Sequence, residues 1–265
     1  MPERILLTGA AGGIGTLMRP RLARPDRVLR LLDIAPLPPP EDGERVETIT
    51  ASVTDLDALR DACTDVDILI HLGGLSVEGS WKDTLEININ GTYNALEAAR
   101  RAGVGRVILA SSNHAVGFHR LSETPVPDYR FPRPDTHYGV SKVTMEALGS
   151  LYHDRYGLDV IAIRIGSCFE RPRDERMLGI WLSPDDGARL FEAAISVPQP
   201  GFRIVWGASA NTRGIFDLTE AKAIGYEPRD DSEVFADGIP PTDELGRTYV
   251  GGWFCSPELD TEIPS

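Results

Sequence analysis

Short, continuous apolar runs separated by stretches long enough for a helix mark most of this chain. Residues 4–7, 28–32, 68–72, 106–110 and 159–165 are rich in Ile, Val and Leu, with no polar alternation that would leave one side wet. Runs of this kind read as strands buried on both faces, and their regular interruption by helical segments predicts parallel βαβ units. Two weaker strands, about 45–50 and 202–207, bring the expected number to seven. The expected helices run from the glycine-rich turn to about 23, to Cys63, through residues 88–99, from Tyr138 to about 156, to about 195, and near 218–224. Ser183-Pro184-Asp185-Asp186 predicts the start of the fifth of these, with serine as N-cap, proline at the first helical position and acids in the first turn. The fold class that follows is α/β: a doubly wound, seven-stranded parallel sheet with helices on both faces and a small C-terminal cap.

Composition narrows the function. At 265 residues, 1–265 is expected to form a single domain, with about 166–265 supplying the cap and tail on the substrate side. A net charge of -13, from 27 basic and 40 acidic side chains with no basic block, argues against nucleic acid and anionic membranes as partners. An anionic small-molecule substrate would need arginines placed locally against that field. Cys63, Cys168 and Cys255 are widely spaced and form no Cys-x-x-Cys, so neither a disulfide framework nor a metal site is suggested. A strand starting near residue 4 leaves no room for a signal peptide, and no apolar run approaches ~18 residues, so a cytoplasmic protein is expected.

Chemistry enters at two places. Thr8-Gly9-Ala10-Ala11-Gly12-Gly13-Ile14-Gly15 follows the first strand and opens a helix, the order of a Rossmann-type dinucleotide site. Gly9, Gly12 and Gly15 fit G-x-x-G-x-x-G, while Gly9, Gly13 and Gly15 fit G-x-x-x-G-x-G. Either spacing brings bare backbone against a pyrophosphate at a helix N-terminus. Asp33, at the end of strand two, would accept from the adenosine hydroxyls and repel a 2′-phosphate, which predicts NAD over NADP. The second place is Tyr138-Gly139-Val140-Ser141-Lys142. Positions i and i+4 share a helix face, so phenol and ammonium can enter one cleft, where the cation is expected to lower the phenol pKa toward neutrality.

Together these motifs resemble the short-chain dehydrogenase/reductase superfamily, in its extended epimerase/dehydratase branch. The resemblance implies NAD as cofactor, Tyr138 as acid/base, Lys142 as its electrostatic partner and ribose ligand, and a serine at the end of strand five, Ser112 or else Ser111, beside the reacting oxygen. It also implies a cofactor contact set of Gly9, Gly12, Gly13, Ile14, Gly15, Asp33, Ser52, Val53, Leu72, Gly73, Gly74, Asn88, Tyr138, Lys142 and Ile165. Ser52 stands where relatives commonly carry Asp, which weakens the expected contact to adenine. Homo-oligomers paired through the helices 88–102 and 138–156 are expected on the same ground.

Within that superfamily the runs 71–78, 110–114, 164–168, 176–178 and 205–211 resemble the uronate dehydrogenases. That resemblance implies oxidation of the anomeric carbon of D-glucuronate or D-galacturonate to the aldarolactone. It assigns Ser76, Ser112, Asn113, His114, Tyr138 and Ser167 to the sugar and Arg176 to its carboxylate. The residues alone reach only an anionic small sugar held by one of Arg171, Arg173 and Arg176, all of which could instead pair with Glu170, Asp174 and Glu175. A nucleotide-sugar epimerase/dehydratase and a non-catalytic NAD-sensing regulator remain the alternative readings.

Overall fold

The structure, a computed structural model, describes residues 2–259 of the chain. Its first part runs β1 (Glu3–Thr8), α1 (Gly13–Leu22), β2 (Arg27–Asp33), β3 (Val46–Thr50), α2 (Leu56–Ala62) and β4 (Ile68–His71). Next, α3 (Trp81–Asp83) passes through a π-helical stretch, Thr84–Asn90, into α4 (Gly91–Ala102), followed by β5 (Arg106–Ser112), α5 (His137–Tyr156) and β6 (Asp159–Ile165). The remainder is β7 (Ser167–Cys168), α6 (Met177–Ile180), β8 (Trp181–Leu182), α7 (Pro184–Ser196), β9 (Phe202–Gly207), α8 (Thr219–Ala223) and α9 (Glu244–Thr248).

Seven strands form one parallel sheet in the order β3-β2-β1-β4-β5-β6-β9. The period of two along each strand explains the unbroken apolar runs, because successive side chains enter opposite helical layers. Ile5, Leu7, Leu29, Leu31, Ile68, Ile70, Ile161 and Ile163 pack toward Met18, Leu22, Leu190, Phe191 and Ile224 of the α1, α7 and α8 side. Leu6, Leu32, Leu69, Val107, Leu109, Val160 and Ala162 face Leu59, Leu96, Ala99, Met145 and Tyr152 of α2, α4 and α5. A third cluster, with Val116, Val126, Ile180, Trp206, Phe216 and Val250, lies under the cap.

Local chemistry fixes the helix starts. Ser183 Oγ accepts from Asp186 N at 2.9 Å with Pro184 opening α7, as its sequence predicts, and Thr136 Oγ1 caps α5 by accepting from Gly139 N at 2.9 Å. The loop of residues 117–137 is pinned rather than free: Arg120 bridges Tyr249 and Val126 bridges Phe216, so the C-terminal segment and this loop build one wall. Among the described residues no helix is long and apolar enough to cross a membrane, and no cluster of three His, Cys, Asp or Glu could hold a metal ion.

Strand order reverses between β1 and β4, and the crevice outside their carboxyl ends is where open α/β sheets bind ligands. Both chemical motifs reach that crevice.

Candidate active site

At the end of β1 the chain turns through Gly9 at φ 68°. A Cβ there would lie 2.7 Å from Gly73 N, and one at Gly15 would lie 2.5 Å from Gly9 O and 2.7 Å from Ala10 Cα. Glycine at these two positions is therefore required by the turn and by its approach to the loop after β4. Gly12 is close to that limit, with its N–H donating to Gly9 O at 3.0 Å. Gly13 differs, since a Cβ on it would meet nothing within 4 Å. Bare backbone there borders open space at the N-terminus of α1, whose N-cap Gly12 offers no side-chain cap. An uncapped helix N-terminus with open room beside it fits a pyrophosphate.

Asp33 completes the dinucleotide cradle. Its Oδ2 accepts from Ala11 N and its Oδ1 from Ala35 N, both at 2.9 Å, so the carboxylate is held beside the glycine turn with lone pairs to spare. Ile14 packs partly buried against the core. Val53 is turned inward, its methyls pressed between Gly73 and Gly91 and its carbonyl accepting from Asn94 Nδ2 at 3.1 Å. Its side chain is thus core rather than cleft, because that space between β4 and α4 has room for nothing else. Ser52 Oγ is 2.8 Å from Thr54 Oγ1 and accepts from Thr54 N, a local turn. Leu72 leaves β4 partly buried, Gly73 is buried beside Thr8, and Gly74 lies at φ 155° against Asn88. Asn88, in the π-helical stretch, accepts from Leu75 N at 2.7 Å and donates to Leu75 O and Ser141 Oγ, both at 3.1 Å. It ties the loop after β4 to the helix of Tyr138, and π-helical turns are frequent at such sites. Ile165, buried, ends β6.

Tyr138 and Lys142 are both buried on α5, with Lys142 Nζ 5.3 Å from the Tyr138 ring centre and donating to Ala110 O at 2.8 Å. Burial pushes the Tyr138 phenol up to about 12, a bond to Ser112 opposes this, and nearby Asp135 adds to it. Burial also pulls Lys142 down to about 8, against the pull of Glu146. The expected lowering of the phenol pKa by Lys142 is therefore corrected for the protein alone: loss of solvation dominates both groups, with Ser112 and Asp135 acting on the phenol and Glu146 on the ammonium.

The choice between the two serines resolves by geometry. Ser111 Oγ donates to Glu146 Oε1 at 2.6 Å, and Glu146 is gripped at two points, 2.7 Å each, by the buried Arg164. Ser112, free of that ion pair, is the serine whose hydroxyl opposes the rise in the Tyr138 pKa. Its Oγ accepts from His114 N at 3.2 Å. His114 stands edge-on to Tyr138 with ring centres 5.7 Å apart.

On the substrate side, Asn113 Nδ2 donates to Val250 O at 3.3 Å, and Arg176 Nε donates to the same oxygen at 3.2 Å, joined there by its Nη2. One edge of the Arg176 guanidinium is thus anchored, and the edge carrying Nη1 remains for a ligand. Burial lowers the Arg176 pKa, opposed by Asp174 and Asp135 among others. Arg171 and Arg173 are exposed and lie over the rings of Phe235 and Phe169, at 5.0 and 3.8 Å. Ser167, at the start of β7, has a buried hydroxyl with no partner among the described residues. An orphaned buried hydroxyl is costly and calls for a ligand or water. Ser76 is exposed on the loop after β4.

Several residues escaped the sequence reading. Glu78 accepts from the N–H groups of both His137 and Tyr138, at 3.1 and 2.7 Å, and so clamps the Ser76 loop on the N-terminus of α5. Glu146 had a readable signal, since Tyr138, Lys142 and Glu146 are successive i+4 positions on one helix face. Asp135, just before the cap of α5, and Val250 and Phe254, far off in the C-terminal stretch, had none, since none of them lies in a periodic run. Phe254 stacks on His114 with centres 4.0 Å apart.

The chain is also similar to known proteins. The model of the NAD dependent epimerase/dehydratase family matches residues 5–179. A uronate dehydrogenase of Pseudomonas syringae pv. tomato is 43% identical over 259 residues, covering 96% of this chain and 94% of that protein. The crystal structure of a mutant uronate dehydrogenase from Agrobacterium tumefaciens complexed with NAD is 38% identical and superimposes with a TM-score of 0.90, covering 96% and 97% of the two chains. An NAD-dependent glucose-6-phosphate dehydrogenase of Haloferax volcanii is 36% identical, over 92% of this chain and 100% of that one.

Proposed function

The chain belongs to the NAD dependent epimerase/dehydratase family, and on that footing we propose that it is an NAD-dependent uronate dehydrogenase. Its reaction is oxidation of the anomeric carbon of D-glucuronate or D-galacturonate to the aldarolactone. What supports the reading is that Tyr138 and Lys142 are buried together on α5, while Arg176 and Asn113, the neighbour of Ser112, meet on the Val250 carbonyl.

Bound NAD would supply the hydride acceptor at C1, and its pyridinium charge would add to that of Lys142. Gly9, Gly12, Gly13, Gly15 and Asp33 would hold its pyrophosphate and adenosine, with Ile14, Ser52, Leu72, Gly73, Gly74, Asn88 and Ile165 along its length and Val53 able to meet it through its backbone alone. Ser112 Oγ holds the C1 hydroxyl oxygen, and Tyr138 Oη takes the proton from it as the lactone carbonyl forms. Lys142 favours the phenolate and offers its remaining N–H groups to ribose hydroxyls. Arg176 presents the edge bearing Nη1 to the C6 carboxylate, a two-point match of fork to carboxylate. Ser76, Asn113, His114 and Ser167 receive the ring hydroxyls, which gives the orphaned Ser167 hydroxyl its partner.

The chain reads as one NAD-binding domain, 1–265, whose residues from about 166 onward supply the substrate side. Exposed Tyr93, Leu151 and Tyr156 on α4 and α5 support a homo-oligomer formed through those helices.

The deciding experiment is the initial rate of NADH formation with D-glucuronate, D-galacturonate, glucose and glucose 6-phosphate, each with NAD and with NADP. Rates confined to the two uronates with NAD are expected. Reaction of glucose 6-phosphate in their place would move the substrate to the other relative's class, and no turnover on any sugar would favour the NAD-sensing regulator.

A further inference from the structure

We propose that Asp135 is a positioning residue for the substrate site, holding His114 in the tautomer whose Nε2 accepts a hydrogen bond from a sugar hydroxyl. This rests on the reading that His114 meets the sugar. The Asp135 side chain is fully buried, its Oδ2 is 2.7 Å from His114 Nδ1, and its Oδ1 accepts from Thr136 Oγ1 at 3.0 Å. An ionised carboxylate only accepts, so His114 Nδ1 must carry the proton, and in a neutral ring Nε2 is then a bare lone pair.

The packing around this carboxylate is unusually close. A Cβ on Gly139 would reach within 3.0 Å of Asp135 Oδ1, and a Cβ on Gly117 or Gly251 would run into the carboxylate itself. Glycines from three separate segments, one after β5, one in α5 and one in the C-terminal stretch, leave room for one acid in one orientation. The ring it holds is stacked on Phe254, at 27° between planes, and meets Tyr138 edge-on at 65°. The imidazole can therefore neither turn over nor exchange its nitrogens without breaking the Asp135 bond. Its Nε2 takes no hydrogen bond from the described residues. A fixed acceptor beside the tyrosine selects a ligand that places a hydroxyl there, and a substrate lacking that donor leaves it unpaired.

The test uses the full-length protein and the variants Asp135→Asn, His114→Ala and their combination. Asparagine keeps the size of Asp135 but can donate to Nδ1, releasing the ring into the other tautomer. Expected for Asp135→Asn is a loss in kcat/KM for D-glucuronate of roughly tenfold to a hundredfold, carried mainly by KM, with NAD affinity unchanged. On the His114→Ala background the same change should cost nothing further. An equal loss on both backgrounds, or no loss from Asp135→Asn where His114→Ala is impaired, would overturn the positioning role. A harmless His114→Ala would instead remove the reading of His114 as a sugar contact, and the proposal with it. Should Asp135→Asn fail to fold, nitrogen-15 spectra of the wild-type histidines, with the His114 signal identified by its loss in His114→Ala, decide the matter. A ring protonated on Nδ1 supports the proposal, and one protonated on Nε2 overturns it.

Discussion

Tyr138 illustrates how a residue's burial sets the terms of its chemistry. A phenol held near 12 is almost wholly protonated at neutral pH, so the base form is scarce and its supply rises with pH. The value of kcat/KM is expected to climb from pH about 6 to about 9, and a flat profile would count against Tyr138 as the base. Tyr138→Phe should lower kcat by at least about a hundredfold, read from initial rates. Arg176→Ala should raise KM for uronates and leave NAD affinity alone, while Arg171→Ala and Arg173→Ala, whose guanidinium groups lie over surface rings, should change neither. His71 offers a different test. Burial, helped by the charge of Lys142, holds it down to about 3, and its Nδ1 is 2.9 Å from Thr8 Oγ1. The unfolded chain binds that proton near 6.5 and the folded one does not, so stability from this site is present above 6.5 and is lost as pH falls toward 3. His71→Asn should flatten the acid limb of the stability curve by on the order of 3 kcal/mol at pH 4, seen in urea melts at several pH values. Glycines, Asp33 and the Tyr-Lys pair were legible because each sits at a fixed offset from a strand end. The strand end likewise favoured Ser112 over Ser111, whereas Arg176 over its neighbours was not legible from the residues alone, because that choice depends on what a distant residue has engaged.

Among elements, the glycine turn separates folding from binding more cleanly than any other. A methyl on Gly15 would meet backbone at 2.5 Å, whereas one on Gly13 would enter open space. Gly15→Ala should therefore cost stability, roughly 1–3 kcal/mol, as well as NAD affinity. Gly13→Ala should melt like the wild type but bind NAD poorly, checked by thermal denaturation and titration. Ser183→Ala, which removes the cap of α7, should cost about 1 kcal/mol without touching the site. The long strands and helices could be read from their apolar period, and their ends fell within a residue or two except at α4, expected over 88–99 and found at Gly91–Ala102. The pair β7 and β8, of two residues each, and the one-turn helices α6 and α9 carry too few residues to show a period. The π-helical stretch around Asn88 was equally hidden, since its residues are those of an ordinary helix.

Across the whole molecule, the acidic surface and the apolar patches answer different questions. Tyr93, Leu151 and Tyr156 are 41 to 46% exposed on α4 and α5, side by side on the two helices a second copy would meet. Leu151→Glu should shift the protein to a smaller species in sedimentation, and an unchanged mass would place any assembly elsewhere. The carbonyl of Val250 has a consequence of another kind. It anchors Asn113 and Arg176 together, yet lies 43 residues beyond the last strand of the sheet, whose end is Gly207. Chains grow from the N-terminus and fold as they emerge. During synthesis the residues assigned to the dinucleotide leave the ribosome well before the carbonyl that fixes Asn113 and Arg176, so the sugar side of the site is the last part of it to be built.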